Sequence, residues 1–69
     1  MKKFAVAFIS FFENELEIQF IETADVLAAG QTVLIRHGYD LDGEKFTSLK
    51  DMKKFCFDGD CMIDVKELP

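Results

Sequence analysis

Apolar side chains run almost without interruption from Phe4 to Phe12, a stretch with no charge, no glycine and no proline. Aromatic and β-branched residues fit a pleated strand, and a run apolar on both faces fits a strand at the centre of a sheet. The pattern changes at Glu13-Asn14. From Glu15 to Glu22 polar and apolar residues alternate almost perfectly, which predicts a half-buried strand with Leu16, Ile18 and Phe20 facing inward. The two segments, Lys2 to Glu13 and Glu15 to Glu22, form a hairpin. Its link is short, and Asn14 tolerates the left-handed conformation of a tight turn. Two registers are open. One sets Phe8, Ser10 and Phe12 beside Phe20, Ile18 and Leu16; the other sets Ala7, Ile9 and Phe11 there. A one-residue slip exchanges the faces.

The period then lengthens. Val26, Leu27, Gly30, Val33, Leu34 and His37 draw one stripe of a helix. Thr23 caps it, the first helical residue is Ala24, and Asp25 sits favourably at the positive end. Gly38 ends it. Gly30 inside a helix costs about 1 kcal/mol against Ala, and close approach of helix to sheet would explain its presence. An alternative ends the helix at Gly30 and makes Thr32 to Arg36 a strand, since Thr, Val and Ile are β-branched. Tyr39 to Lys45 reads as a loop. Ser48 with Asp51 three residues on resembles a capping box and opens a short helix from Leu49 to Phe57, with Leu49, Met52 and Cys56 on one side. Asp58-Gly59-Asp60 turns the chain. Cys61 to Glu67 alternates again, a third strand with Cys61, Ile63 and Val65 inward.

The element order is therefore β-β-α-α-β. A crossover from the second strand delivers the third to the far side of the first. The expected fold is α+β, a single domain over residues 1–69. It is a three-stranded antiparallel sheet of order 2-1-3, with one longer and one short helix on one face. Two helices cover one face of such a sheet and no more. Either Phe4, Val6, Phe8 and Phe12 or Ala5, Ala7, Ile9 and Phe11 must remain open. The first set is larger and is the expected anchor for a partner, together with the hairpin carboxylates Glu13, Glu15 and Glu17.

Composition sharpens this picture. A chain of 69 residues with eight Phe has much apolar surface for one thin core. That favours a second copy or another protein against the uncovered face. The net charge of −5 disfavours ordinary nucleic-acid binding. Met1-Lys2-Lys3 before an apolar run resembles a secretory signal, but the run stops at Phe12 and three carboxylates follow by Glu17 without a cleavage pattern. The run is also too short to cross a bilayer. The expectation is a cytoplasmic protein with Cys56 and Cys61 as reduced thiols.

Candidate chemistry is sparse. His37 is the only histidine, and no spacing supplies it with a nucleophile; at the end of a helix it favours the dipole. Cys56 and Cys61 could be half a metal site, but a closed zinc site wants four soft or nitrogen ligands and only His37 remains. Asp40 to Gly43 and Asp58 to Asp60 superficially resemble calcium loops. With Gly43 or Gly59 as the sixth residue, both frames lack the first and last acid ligands. No phosphate-binding glycine motif, nucleophile elbow or HExxH is present. Neither a catalytic residue, a metal nor a cofactor is expected. The acidic outer side of the hairpin, Glu13, Glu15, Glu17 and Glu22, reads as a solvated face or as a docking surface for a basic protein.

Val6-x-Phe8-x-x-x-Phe12-x-Asn14-Glu15 resembles the first hairpin of the small antitoxins of T-even bacteriophages, the Dmd type, and Cys61-Met62-Ile63-Asp64 is similar to their last strand. The resemblance covers the two ends of the chain and leaves Ala24 to Asp60 unmatched. It implies a phage-encoded inhibitor that binds a host ribonuclease toxin and carries no catalytic residues of its own. The leading expectation is thus a small non-catalytic inhibitor or adaptor acting on a host protein. The alternatives are a homodimeric accessory or structural protein and an acidic mimic of nucleic acid.

Overall fold

The computed structural model describes residues 1–69. Its elements are β1 (Lys2–Ser10), β2 (Glu15–Thr23), α1 (Val26–Arg36), α2 (Leu49–Asp58) and β3 (Cys61–Glu67). The sheet has the order β2-β1-β3, and both pairings are antiparallel. The fold is α+β with β-β-α-α-β topology, as the hydrophobic pattern predicts.

β1 lies in the centre because only it is apolar on both faces. Its register fixes what shares each face. Phe4, Val6 and Phe8 stand opposite Ile21, Gln19 and Glu17 on β2, and opposite Glu67, Val65 and Ile63 on β3. The helices cover this face, so Phe4, Val6 and Phe8 are 1%, 0% and 2% exposed. They join Ile63 and Val65 from β3, Ala29, Val33 and Leu34 from α1, and Met52 and Cys56 from α2 in one core cluster. The open row of β1 is Ala5, Ala7 and Ile9, not the larger phenylalanine row. The physical reason is volume, since two helices need bulky side chains beneath them to fill the layer.

β2 corrects the sequence reading outright. Leu16, Ile18 and Phe20 pair with Ile9, Ala7 and Ala5 and point away from the helices. Glu15, Glu17, Gln19 and Ile21 occupy the helix side, where Ile21 alone is buried. The face is that of the second register weighed above, shifted by two residues so that Ala5 rather than Ala7 meets Phe20. The link is also longer than expected. β1 ends at Ser10, and a four-residue turn closes with the Asn14 N–H donating to the Ser10 carbonyl at 2.7 Å. Asn14 takes φ +52°, the left-handed conformation anticipated for it.

α1 is continuous through Thr32 to Arg36. Its cap is Asp25 rather than Thr23, because β2 runs on to Thr23 opposite Lys2. Asp25 Oδ1 accepts from the Ala28 N–H at 2.8 Å. Thr32 is accommodated by donating its hydroxyl to the Ala28 carbonyl at 2.8 Å. The helix ends at His37, with Gly38 at φ +86°. The Gly38 N–H reaches the Ile35 carbonyl and the Tyr39 N–H the Leu34 carbonyl, the paired bonds of a Schellman ending. Gly30 does mark a close approach, but to the other helix before the sheet. A Cβ there would overlap the Met52 sulfur and lie 3.5 Å from Val65 Cγ2.

α2 starts at Ser48, whose hydroxyl accepts from the Asp51 N–H at 3.2 Å. Asp51 reaches back to the N–H and hydroxyl of Thr47, and these bonds hold its carboxyl below its ordinary value. The segment between the helices does more than connect them. Tyr39, Leu41 and Phe46 pack with Leu49 and Phe55 against the edge of the core. Phe46 and Phe55 meet edge to face at 5.3 Å. The turn into β3 places Asp60 at φ +64°, and its carbonyl accepts from the Phe11 N–H at 3.0 Å.

Candidate functional site

Alternation on β2 and β3, combined with small residues on β1, builds one continuous surface on the side away from the helices. Leu16, Ile18 and Phe20 on β2 are 62%, 55% and 72% exposed, and Met62 on β3 is 54% exposed. Between them run Ala5, Ala7 and Ile9. Alanine side chains stop one carbon above the backbone, so β1 forms the floor of a trough and β2 a ridge beside it. A depression of about 180 Å³ opens over this floor, lined by Ala7, Ile9, Leu16, Met62 and Asp64 among others. The charged residues of this face are Lys3 and Glu22, which stand opposite each other, and Asp64 and Lys66 on β3. Asp64 is held at 3.2 Å by Lys53.

Sequence reasoning anticipated one open sheet face but chose the wrong row of β1 for it. Phe4, Val6 and Phe8 lie under the helices and cannot meet a partner without unfolding. Phe12 is 83% exposed at the tip of the hairpin. Phe11 beside it meets Phe57 of α2 edge to face at 6.0 Å. Leu16, Ile18, Phe20 and Met62 were not singled out as surface residues. The signal that could have found them is size: a row of Ala5 and Ala7 cannot fill a helix-covered layer, whereas Phe4, Val6 and Phe8 can.

The carboxylates gather elsewhere. Glu13, Glu15 and Glu17 line a groove of about 280 Å³ with Ser10, Leu16, Phe8 and His37, at the hairpin end on the helix side. Glu22 is not among them. Glu17 Oε2 lies 2.6 Å from His37 Nε2, and the imidazole stacks on Phe8 with ring centres 4.2 Å apart. His37 therefore holds the end of α1 to β2, with Arg36 beside it donating to Gln19 Oε1 at 2.7 Å. Ser10 lines the same groove as this pair. Nowhere do three or more His, Cys, Asp or Glu side chains gather in a way that could hold a metal ion.

Cys56 and Cys61 are both buried and unpaired. Burial, with Cys61 close by, pushes the Cys56 thiol from 9.0 up to about 12. Tyr39, whose hydroxyl donates to the Gly59 carbonyl at 3.4 Å, is raised to about 12, chiefly by the neighbouring Cys61 thiol and then by burial. A thiol held protonated is a poor nucleophile, so Cys56 acts as a small core residue, and Cys61 is buried in the same core cluster. No helix of the chain is long and apolar enough to cross a membrane. No described protein family matches the chain, and neither a curated protein nor a solved structure does.

Proposed function

We propose that this chain is a small non-catalytic protein-binding module, and that the open face of its sheet is the surface it binds with. One observation carries the reading. Four large apolar side chains, Leu16, Ile18, Phe20 and Met62, stand more than half exposed on one face of a chain whose core is thin. Contiguous apolar surface on a small soluble fold marks an interface. Covering it removes apolar area from water at about 25 cal/mol per Å². The partner is another protein, because the face offers no charged cluster for nucleic acid and no enclosed pocket for a small ligand. The likeness of the hairpin and last strand to the Dmd-type antitoxins supports an inhibitor acting on a host protein as the kind of module. A reducing compartment such as the cytoplasm fits two free thiols.

The test is capture from bacterial lysate on the tagged chain, with Ile18→Glu and Glu15→Lys variants alongside, each first shown by circular dichroism to be folded. A partner held by the wild type and by Glu15→Lys, and lost with Ile18→Glu, is the expected result. A partner lost with Glu15→Lys and kept by Ile18→Glu would move the interface to the acidic groove of Glu13, Glu15 and Glu17.

A further inference from the structure

We infer that, when no other protein occupies it, the open sheet face pairs weakly with the same face of a second copy, the β2 ridge of each seated in the β1 trough of the other. This rests on the reading of that face as an interface and adds the identity of one occupant.

Two observations support it, and a third sets its strength. The first is shape. Large and small side chains lie in parallel rows, with Leu16, Ile18 and Phe20 directly beside Ile9, Ala7 and Ala5. A two-fold axis parallel to the strands, set between β1 and β2, lays each row on its counterpart in the other copy. Leu16 then meets Ile9, Ile18 meets Ala7, and Phe20 meets Ala5, twice over. An isologous contact needs one patch that is its own complement, and large over small is what fills such a layer. The depression over Ala7 is the space the facing Ile18 enters.

The second is charge. The whole chain carries −5, yet on this face Lys3 and Lys66 balance Glu22 and Asp64 to zero. The deficit lies entirely on the other surfaces, where two copies repel. A strongly basic partner would find nothing to pair with here, whereas a neutral face suits its own duplicate. In the two-fold arrangement the β3 strips, with Met62, Asp64 and Lys66, fall at the two borders and stay wet, giving an apolar centre and a mainly charged rim.

The third is area. Strands of nine residues are about 30 Å long and two to three of them about 10–14 Å wide. The footprint is roughly 300–400 Å² per copy by those spacings, about half or less of the ~800 Å² per partner of a stable interface. A footprint this small makes a transient pairing that another protein can displace.

Analytical ultracentrifugation of the untagged chain between about 10 µM and 1 mM tests this directly. A monomer–dimer equilibrium in that range is expected, weakened at least tenfold by Ile18→Glu. The ridge and trough are tested by mixing. Ala7→Leu fills the trough and Ile18→Ala lowers the ridge, so each alone should associate more weakly than the wild type. An equimolar mixture of the two should recover association, because the enlarged position 7 of one chain faces the reduced position 18 of the other. Compensation within one chain cannot produce that recovery. A chain monomeric at 1 mM overturns the second-copy inference, and so does a dimer indifferent to all three changes. If Ile18→Glu still abolishes lysate capture in the first case, the binding reading survives alone. If capture and dimer are both indifferent to position 18, both readings fail together.

Discussion

The two faces of β1 are built from the same nine residues, yet they serve opposite ends. One face carries Phe4, Val6 and Phe8 and is sealed by both helices; the other carries Ala5, Ala7 and Ile9 and is sealed by nothing. The bulk missing from the second face is supplied by its neighbour, since Leu16, Ile18 and Phe20 rise beside the alanines. On the first face the exchange runs the other way, with β2 offering Glu15, Glu17 and Gln19. Hydrophobicity is thus shared between strands rather than repeated on each. The covered layer takes large residues where helices lie above it. The uncovered layer takes small residues in its centre and large ones at its side, a relief that another surface can grip.

The most severe way to break this comparison is to put the same polar change on each face. Phe8→Ser removes a buried ring from a core with little to spare. Large-to-small changes of a buried Phe cost about 3–5 kcal/mol, close to the whole net stability of a domain this small. Circular dichroism should report an unfolded or barely folded chain at 25 °C. Phe20→Ser, at a residue 72% exposed, should leave the far-UV spectrum and melting temperature nearly unchanged. If Phe20→Ser unfolds the chain as well, the open face is closed in solution and the contrast is void.

That contrast was only partly legible in the sequence. Periodicity gave all five elements, because apolar spacing of two or of three to four residues reports local geometry. It did not give the faces of β2. Alternation shows that a strand has two unlike sides, but which side meets the helices depends on the neighbour, and β1 is apolar on both. The usual inference that the apolar side points inward failed because α1 and α2 pack toward β3 and leave most of β2 uncovered. Only Ile21 of β2 reaches the core, while Glu17 and Gln19 meet His37 and Arg36 at the end of α1. The aromatic packing of Tyr39 and Phe46 was hidden for a related reason. An irregular segment has no period, so its inward residues leave no pattern to read.

The next test sharpens the closed face by asking how tightly it is filled. Gly30→Leu should cost about 1–3 kcal/mol in thermal or urea unfolding, since its side chain must displace Met52 and press on Val65. Gly30→Ala should fall within about 0.5 kcal/mol of the wild type. The helix gains close to 1 kcal/mol by losing a glycine, and shifting the flexible end of Met52 offsets most of that gain. A strongly destabilising alanine would mean that Met52 has no alternative rotamer and that the two helices meet more rigidly than this geometry implies.

The closed face is also dry, and pH reads that. Cys56 has a folded-state value near 12 against 9.0 for an ordinary thiol. A raised value means that the folded chain holds the proton more tightly than the unfolded one. Its stabilising contribution is therefore complete below about pH 9 and is lost as pH rises through 12. Tyr39, raised from 10.0 to about 12, acts in the same direction. Urea midpoints should fall steadily above pH 9, and Cys56→Ala should make that fall shallower while lowering stability modestly at pH 7. An unchanged alkaline slope in Cys56→Ala would assign the loss to Tyr39 or to general charge repulsion.

The smallest expected effect lies where the closed face stops being apolar. Glu17 and His37 join β2 to the end of α1 at 2.6 Å, with the imidazole stacked on Phe8. Both groups are partly exposed, so solvent screens the pair and its net worth is about 0.5–1 kcal/mol. His37→Gln should cost more than that, because it also removes the ring packed on Phe8. Glu17→Gln should cost less, because an amide can still accept from the ring nitrogen. A double-mutant cycle separates the pair from the stacking, since the stacking loss appears in both His37 variants and cancels. A coupling of about 0.5 kcal/mol that shrinks in 1 M salt is the expected outcome. Zero coupling would leave the stack on Phe8 and the Arg36–Gln19 hydrogen bond as the ties between this end of α1 and the sheet. On that result the carboxylates of the hairpin end, Glu13, Glu15 and Glu17, would all be free for solvent or a basic surface. The Glu17–His37 pair would have no part in holding β2 in its inverted orientation, which would then rest on Ile21, the Arg36–Gln19 hydrogen bond and the β1 ladder.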